Sequence, residues 1–337
     1  MRTPAGAAAA AWYRAPVNGR QPDALVIGAG VCGLTTAICL AEAGLAVTIR
    51  AARLPPGTTS VAAGAIWGPH LVEQGGRVPA WSHTGLQTLR DLAGQPGTGV
   101  TMARGTEAWR RPAEPPAWLG LVSGFRRCAA PELPGAFVAG WQYTAPVLTM
   151  PVYLDYLLDR FTSRGGIVRV ATVGSLAEAA ADAPVVVNCT GIGARDLVPD
   201  RDLVPVRGQV VIVANPGLTD FFIGAADSTA DLVYLFPHGD TVLLGGTEQP
   251  GDWNLDPDPA VTRRILADCA TVEPRLAGAE VVGQRVGLRP VRPRVRLDCE
   301  RLGPGRLLVH NYGHGGAGIT LSWGCAREIT EQVLSRA

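Results

Sequence analysis

The most informative absence in this 337-residue chain is lysine, because all 30 of its basic side chains are arginine. Without a lysine amine the protein cannot carry a Walker-type phosphate loop, a Schiff base with pyridoxal phosphate, or a lysine nucleophile or base. An amine oxidase that places a lysine beside its flavin is excluded for the same reason. The absence therefore removes several enzyme classes before any motif is considered.

A strong net charge, long apolar runs and closely paired cysteines are also missing. The formal charge is +1, which gives no electrostatic reason to expect nucleic acid or an anionic membrane as a partner. No apolar run approaches the roughly 18 residues of a membrane span. The seven cysteines are widely spaced without a C-x-x-C pair. We therefore expect neither a disulfide framework nor a metal site, and we expect a cytoplasmic location.

The first 22 residues differ from the rest of the chain. Residues 1–22 contain an alanine run and lack the strong apolar core of a secretory signal peptide. They are predicted to form a disordered tail, with a signal peptide as the alternative. Ordered sequence is expected from residue 23 onward.

The next segment has the pattern of a βαβ unit. Residues 24–27 form a short apolar run typical of a buried parallel strand, and a glycine-rich loop follows at 28–33. Apolar residues then recur at helical spacing until Gly44, and a second strand is predicted at 45–49. Such a unit is the usual framework for a bound nucleotide.

The residue composition and the predicted secondary structure change twice along the rest of the chain. Prolines, tryptophans and loops dominate 69–146, and strands dominate 209–244, where a hairpin is predicted around the turn 237–240. An α/β nucleotide-binding domain interrupted by a β-rich second domain is the simplest assembly. The predicted boundaries are 23–68, 147–205 and 285–337 for the first domain, and 69–146 and 206–284 for the second.

The loop GAGVCG matches the dinucleotide motif G-x-G-x-x-G. Gly28 permits a tight turn, Gly30 lets the backbone approach a pyrophosphate, and Gly33 lets the helix pack on the strand. An acidic residue should end the second strand and hold a ribose hydroxyl, but Arg50 and Arg53 stand there instead. By this rule alone, the arginines indicate a 2′-phosphate and therefore NADP.

Further segments carry a family resemblance. They are GTTSVAAG (57–64), VVVNCTGIGAR (185–195), VRGQVV (206–211), GLRPVRPRVRLDCE (287–300) and HNYGHGGAGIT (310–320). Together they resemble the D-amino-acid oxidases, FAD enzymes of the glycine/sarcosine oxidase-like group, over about residues 23–334. The resemblance implies an α/β fold in which a Rossmann-like FAD-binding domain carries an inserted antiparallel β-rich substrate domain. It also implies FAD rather than NADP, while the missing lysine argues against the sarcosine-oxidase branch.

The resemblance implies a set of cofactor-binding residues in the glycine loop, the segment after the second strand, a later strand end and the last glycine-rich turn. Ala52 stands where the family usually has an aspartate, so the usual ribose contact is missing. The implied residues are Gly28, Ala29, Gly30, Val31, Cys32, Gly33, Arg53, Thr58, Thr59, Ala63, Gly64, Val173, Cys189, Thr190, Gly191, Gly313, Gly315, Gly318, Ile319 and Thr320.

Three residues are implied at the substrate. Along 289–297 the odd positions are apolar apart from Arg289, and a buried arginine needs an anion such as a carboxylate. In the family the matching arginine binds the amino acid's carboxylate, Tyr234 contacts the same group, and the Gly316 carbonyl accepts a hydrogen bond from the amine. The alternatives are an internal ion pair for Arg289 and an ordinary core position for Tyr234.

Positions around the expected pocket mouth depart from the family. The stretch 225–230 has no aromatic residue, which predicts a short lid and an open pocket. Gly68 and His70 also replace larger or different residues. His310 and His314 are expected to hold loop geometry, because the family's reaction needs no general base.

The resemblance implies oxidative deamination of neutral D-amino acids by hydride transfer from the α-carbon to flavin N5. Oxygen is the acceptor, and the products are a 2-oxo acid, ammonia and hydrogen peroxide. No second arginine is evident for a side-chain carboxylate, which disfavours D-aspartate. The alternatives are a flavin amine oxidase acting on glycine, a secondary amine or a specialised intermediate, a flavin protein without catalysis, and an NADP-dependent dehydrogenase. The sequence does not decide whether the protein forms a homodimer.

Overall fold

A computed structural model of the chain describes residues 21–225 and 232–336. The lid stretch lies outside the described residues from 226 onward. The described strands are β1 (Ala24–Ile27), β2 (Val47–Ala51), β3 (Val100–Trp109), β4 (Ser123–Arg127), β5 (Ala139–Leu148), β6 (Ile167–Val170), β7 (Val185–Asn188), β8 (Val204–Ala214), β9 (Phe221–Ala225), β10 (Leu232–His238), β11 (Thr241–Gly245), β12 (Gln249–Pro250), β13 (Val281–Gly303) and β14 (Arg306–His314). The described helices are α1 (Val31–Glu42), α2 (Val78–Ala93), α3 (Met150–Ser163), α4 (Leu176–Asp182), α5 (Ala194–Leu197), α6 (Pro259–Val272) and α7 (Gly318–Leu334).

These strands form one mixed sheet in the order β4-β5-β3-β9-β10-β11-β8-β13-β14-β7-β1-β2-β6, with β12 paired to β8 off this path. From β14 to β6 all neighbours are parallel, as expected for a nucleotide-binding α/β unit. From β13 to β4 the neighbours are antiparallel except for β3 and β9, which run parallel. The predicted α/β class is confirmed.

Strand β13 connects the two parts of the sheet. Its first half pairs with β8 from Val281 to Val291, and its second half pairs with β14 from Arg296 to Gly303. A register shift lies between Val291 and Arg296, where Pro293 has no N–H to donate to a neighbouring strand. The sheet therefore continues through residue 285, where the sequence predicted a boundary between domains.

Two helical layers cover the parallel part and one helix covers the antiparallel part. Helix α2 packs so closely on α7 that a Cβ on Gly85 would lie 2.0 Å from the Thr320 carbonyl oxygen. Helix α2, from the region that the sequence assigned to the second domain, therefore contacts a helix of the nucleotide-binding part. On β8, Val211 and Val213 pack in the core under α6, while Val210 faces the opposite side of the sheet. That opposite face is free to line a cavity.

Local predictions were close to the structure. Strand β1 has its predicted bounds, and the predicted hairpin is β10–β11. Its turn is shorter than predicted, because His238 pairs with Thr241 and leaves Gly239 and Asp240 as the loop. None of the helices in the described ranges is both long and apolar enough to cross a membrane.

Candidate functional site

One cavity of about 1050 Å³ joins the glycine loop to the face of the antiparallel strands. This volume is at the upper end of the range for small-molecule and cofactor sites. The predicted site residues that line it are Gly28, Ala29, Gly30, Val31, Cys32, Arg53, Thr58, Thr59, Ala63, Gly64, Val173, Cys189, Thr190, Gly191, Tyr234, Arg289, Gly315, Gly316, Gly318 and Ile319. Gly33, Gly313 and Thr320 are not part of the lining.

The glycine loop has the close contacts that its motif predicts. Gly28 has φ +109°, and a Cβ there would lie 2.5 Å from the Cys189 carbonyl oxygen. A Cβ on Gly33 would lie 2.0 Å from the Gly28 carbonyl oxygen, so Gly33 serves the packing of α1 on the turn rather than the cavity wall. The turn after β1 and the end of β7 thus form a cradle that side chains would fill.

The start of α1 is suited to an anion. Its first turn contains no acidic residue, and its N-cap Gly30 has extended backbone without a side-chain cap. The Val31 N–H donates to Ser60 Oγ at 3.0 Å, so one first-turn donor already has a partner. The following first-turn N–H groups have no acceptor within the helix and can bind a phosphate.

Arg50 is not available for a 2′-phosphate. Its guanidinium donates to Glu178, to Asp182 Oδ2 at 3.1 Å and to the Thr172 carbonyl oxygen at 2.8 Å. The ion pairs tie β2 to α4 and lower the pKa of Glu178. The arginine rule that pointed to NADP therefore fails at this position, because neighbouring carboxylates neutralise the cation.

The last glycine-rich turn differs in detail from its prediction. The Gly315 N–H is not free for a cofactor, because it donates to the Pro290 carbonyl oxygen at 2.9 Å. Gly315 is required for packing, since it has φ +55° and a Cβ would lie 1.8 Å from the Leu71 carbonyl oxygen. Thr320 is also engaged elsewhere, because its hydroxyl donates to the Gly68 carbonyl oxygen at 2.8 Å. Only the start of α7, at Gly318, presents its helix end to the cavity.

Arg289 lies at the other end of the cavity in a space made by glycine. Its Nη1 donates to the Thr247 carbonyl oxygen at 2.9 Å, and a Cβ on Gly208 would lie 2.5 Å from that nitrogen. Within the described ranges, no Asp or Glu lies within ion-pair distance of Arg289. The alternative of an internal ion pair finds no support there, and the guanidinium keeps donors for a ligand anion.

Tyr234 lies beside Arg289 on β10. Its ring leans over β11, where a Cβ on Gly245 would lie 2.0 Å from the ring carbon that bears the hydroxyl. Burial raises the pKa of Tyr234, and the nearby charge of Arg289 opposes this shift. The hydroxyl therefore stays protonated at neutral pH and can donate a hydrogen bond to the same anion as Arg289.

Sequence reasoning placed His70 near the pocket mouth but missed Glu107 in the cavity wall and the partner of His70, Glu248. Glu107 lines the cavity from β3 and accepts a hydrogen bond from the Tyr143 hydroxyl at 3.1 Å. His70 Nε2 lies 2.6 Å from Glu248 Oε1. The sequence carries no signal for Glu107, because its position depends on β3 pairing with β9, more than a hundred residues away.

His310 contacts the last residue of β7, and His314 contacts the first turn of α1. His310 Nδ1 lies 3.3 Å from Asn188 Nδ2, and His314 Nδ1 lies 3.6 Å from Cys32 Sγ. Burial lowers the pKa of His314 to about 4. The ring is therefore neutral at neutral pH and adds no positive charge to the cavity.

The lowered pKa of His314 predicts a loss of stability in acid. The unfolded chain binds a proton on this ring below about pH 6.5, while the folded protein does not bind it until about pH 4. The free energy of unfolding should therefore fall by about 3 kcal/mol between pH 7 and pH 4 from this group. Thermal unfolding against pH should show a shallower acid loss for His314→Gln than for the wild type. Equal slopes would contradict the assignment.

Known proteins resemble this chain over most of its length. Residues 23–332 match the family model described as FAD dependent oxidoreductase. The D-amino-acid oxidase of Rubrobacter xylanophilus is 47% identical over 90% of this chain and 94% of its own length. The chain belongs to this family of FAD-dependent oxidoreductases. Other members include the D-amino-acid oxidase of Streptomyces coelicolor, 43% identical over 92% of this chain and 96% of its own. Human D-aspartate oxidase is 36% identical over 91% of this chain and 93% of its own length.

Solved structures share the fold of this oxidoreductase. Glycine oxidase from Geobacillus kaustophilus matches with a TM-score of 0.77 at 21% identity, covering 93% of this chain and 95% of its own. The FAD-bound L-alpha-glycerophosphate oxidase from Mycoplasma pneumoniae matches with a TM-score of 0.75 at 15% identity. The match covers 94% of this chain and 95% of that protein. The cofactor of the family is FAD, and the cradle at Gly28 with the anion-accepting start of α1 fits a pyrophosphate.

Proposed function

We propose that this protein is a D-amino-acid oxidase. The reaction converts a D-amino acid, oxygen and water into a 2-oxo acid, ammonia and hydrogen peroxide. The observation that carries the proposal is the pair Arg289 and Tyr234, two hydrogen-bond donors without a carboxylate partner among the described residues. They lie in the same cavity as a dinucleotide-binding loop. Such a pair fits a substrate carboxylate.

The residues proposed to hold FAD lie along the cavity from α1 to the antiparallel strands. The first turn of α1 would take the pyrophosphate, and Thr58 and Thr59 would offer hydroxyls to the chain beyond it. Ala63 and Gly64 would lie along the flavin. Gly64 has a second reason to be glycine, because a Cβ would lie 2.8 Å from the Phe236 ring. When bound, FAD supplies the ring that takes up the α-hydrogen with its bonding electrons and later passes electrons to oxygen.

This chain's residues position the substrate for that step. The Arg289 guanidinium holds the carboxylate, and the Tyr234 hydroxyl donates to it. The Gly316 carbonyl would accept a hydrogen bond from the amine in its neutral form. Gly316 is itself packed against His70, since a Cβ would lie 2.7 Å from the His70 ring. Three fixed contacts orient the α-hydrogen and select one enantiomer.

The proposal is tested with the purified protein and added FAD in a peroxide-coupled assay. The protein should be yellow, should release flavin on denaturation, and should form peroxide with D-amino acids but not with their L-enantiomers. Turnover of glycine or secondary amines without D-amino acids would instead assign the related amine-oxidase activity. A colourless protein that binds NADPH would overturn the proposal.

We also propose that the protein works in the cytoplasm. All seven cysteines are free in the structure, and four of them are only partly buried. Free thiols of this kind persist in a reducing compartment. A homodimer is a separate prediction, which size-exclusion chromatography with light scattering would test.

A further inference from the structure

We propose that Glu107 forms a distal subsite for the cationic side chain of a basic D-amino acid such as D-lysine or D-arginine. The proposal rests on the function proposed above and adds the class of side chain that the pocket accepts. It also extends the sequence-based expectation of neutral D-amino acids. Three observations on Glu107 carry it: its place in the sheet, the walls around it, and its lack of a cationic partner.

The place of Glu107 follows from the sheet register. Glu107 on β3 pairs with Ile223 on β9, Ile223 pairs with Tyr234 on β10, and Tyr234 pairs with Gly245 on β11. Residues that pair directly across neighbouring strands have their side chains on the same face of the sheet. Glu107, Ile223 and Tyr234 accordingly all line the cavity. The carboxylate-binding end and Glu107 are thus two ends of one cavity wall.

The separation of these ends matches a long substrate. Because the Tyr234 ring leans over Gly245, its hydroxyl lies above β11, three strand spacings or about 14 Å from β3. An extended D-lysine spans roughly 9 Å from carboxylate oxygen to terminal nitrogen. With a hydrogen bond of about 2.9 Å at each end, its reach is comparable to this separation between the strands. A side chain as short as that of alanine does not.

The walls near Glu107 are aromatic. Trp109, Trp118 and Tyr143 line the same part of the cavity, and the rings of Trp118 and Tyr143 meet edge to face with centroids 5.8 Å apart. Aromatic faces stabilise a desolvated ammonium or guanidinium through their quadrupoles. Aromatic rings beside a carboxylate therefore suit a cation better than an anion.

Glu107 lacks a cationic partner within the protein. None of the ion pairs between described residues includes Glu107, and the neighbouring groups that can donate hydrogen bonds to it, the Tyr143 hydroxyl and the Trp141 and Trp109 ring N–H groups, are all uncharged. The nearby His70 is already paired with Glu248. Burial raises the pKa of Glu107, as expected for a carboxyl group that awaits a compensating charge. An entering ammonium would supply that charge, whereas the side chain of D-aspartate or D-glutamate would be repelled.

The test compares substrates of similar length and different charge on the FAD-loaded enzyme. For the wild type we expect kcat/KM for D-lysine to exceed that for D-norleucine. We also expect kcat/KM for D-arginine to exceed that for D-citrulline. In Glu107→Gln, D-lysine should lose at least about tenfold in kcat/KM, mainly through KM, while D-norleucine changes less than twofold. Glu114→Gln, an exposed carboxylate bonded to Arg127, is the charge-matched control and should change neither value.

The outcomes separate the two proposals. If no D-amino acid is oxidised, the proposed function fails. If D-norleucine is oxidised but Glu107→Gln leaves the ratio of D-lysine to D-norleucine unchanged, the subsite is overturned. Should the variant fail to fold, inhibition of the wild type decides: 6-aminohexanoate must bind at least fivefold more tightly than hexanoate, and equal binding overturns the subsite.

Discussion

Replacing Arg289 by leucine is expected to lower kcat/KM for any D-amino acid by about 10³-fold. The guanidinium has no acidic partner among the described residues and is held by the Thr247 carbonyl, so its remaining donors face the cavity. Removing a buried charge that pairs with a substrate carboxylate costs about 4 kcal/mol, because the carboxylate is then desolvated without compensation. Steady-state kinetics of the FAD-loaded protein measure the loss.

Two further variants make this result specific. Arg289→Lys should recover only part of the activity, since an ammonium cannot form the paired hydrogen bonds of a planar guanidinium. Arg294→Leu removes an exposed arginine from the same strand and should leave kcat/KM unchanged. The flavin spectrum of all three variants should match the wild type. Wild-type turnover by Arg289→Leu would remove Arg289 from the carboxylate site.

Gly28→Ala is expected to weaken FAD binding by at least about 10²-fold and to destabilise the fold by about 3 kcal/mol. The new methyl group would meet the Cys189 carbonyl oxygen at 2.5 Å, and φ of +109° disfavours any side chain. Relief of this contact moves the turn that forms the pyrophosphate cradle. Flavin fluorescence titration and thermal unfolding measure the two effects separately.

The matched control for Gly28 is Gly44→Ala. Gly44 has a similar φ of +94°, but a Cβ there meets nothing within 4 Å, and the residue is not part of the cavity lining. This variant should lose stability through backbone strain and keep its affinity for FAD. If both variants lost FAD equally, the close contact at Cys189 would not explain the requirement for glycine at position 28.

The parts of the site that sequence predicts best depend on local pattern. The apolar run 24–27 becomes β1, and the glycine spacing places Gly28 and Gly33 where their close contacts require them. The resemblance placed Arg289 and Tyr234 in one cavity, as the structure does. Each of these inferences used either neighbouring residues or a motif with fixed spacing.

The parts that sequence missed depend on contacts between distant segments. Arg50 suggested a phosphate because nothing in its neighbourhood reveals that α4 brings Glu178 and Asp182 to it. Gly315 was implied as a cofactor-binding residue, and the sequence does not show that its N–H donates instead to the Pro290 carbonyl on another strand. Glu107 enters the cavity only through the pairing of β3 with β9. Non-local pairing decides these positions, and a single sequence does not encode it in a readable pattern.

The continuity of β13 limits how this enzyme could diverge. Arg289 lies on the half that pairs with β8, and the other half pairs with β14, the strand that leads directly to the turn before α7. A deletion of one residue before Arg289 would turn its side chain to the α6 face of the sheet, since alternate residues of a strand face opposite sides. Evolutionary changes in substrate range should therefore accumulate as point substitutions on β3 and its neighbours, while the length of β13 stays fixed.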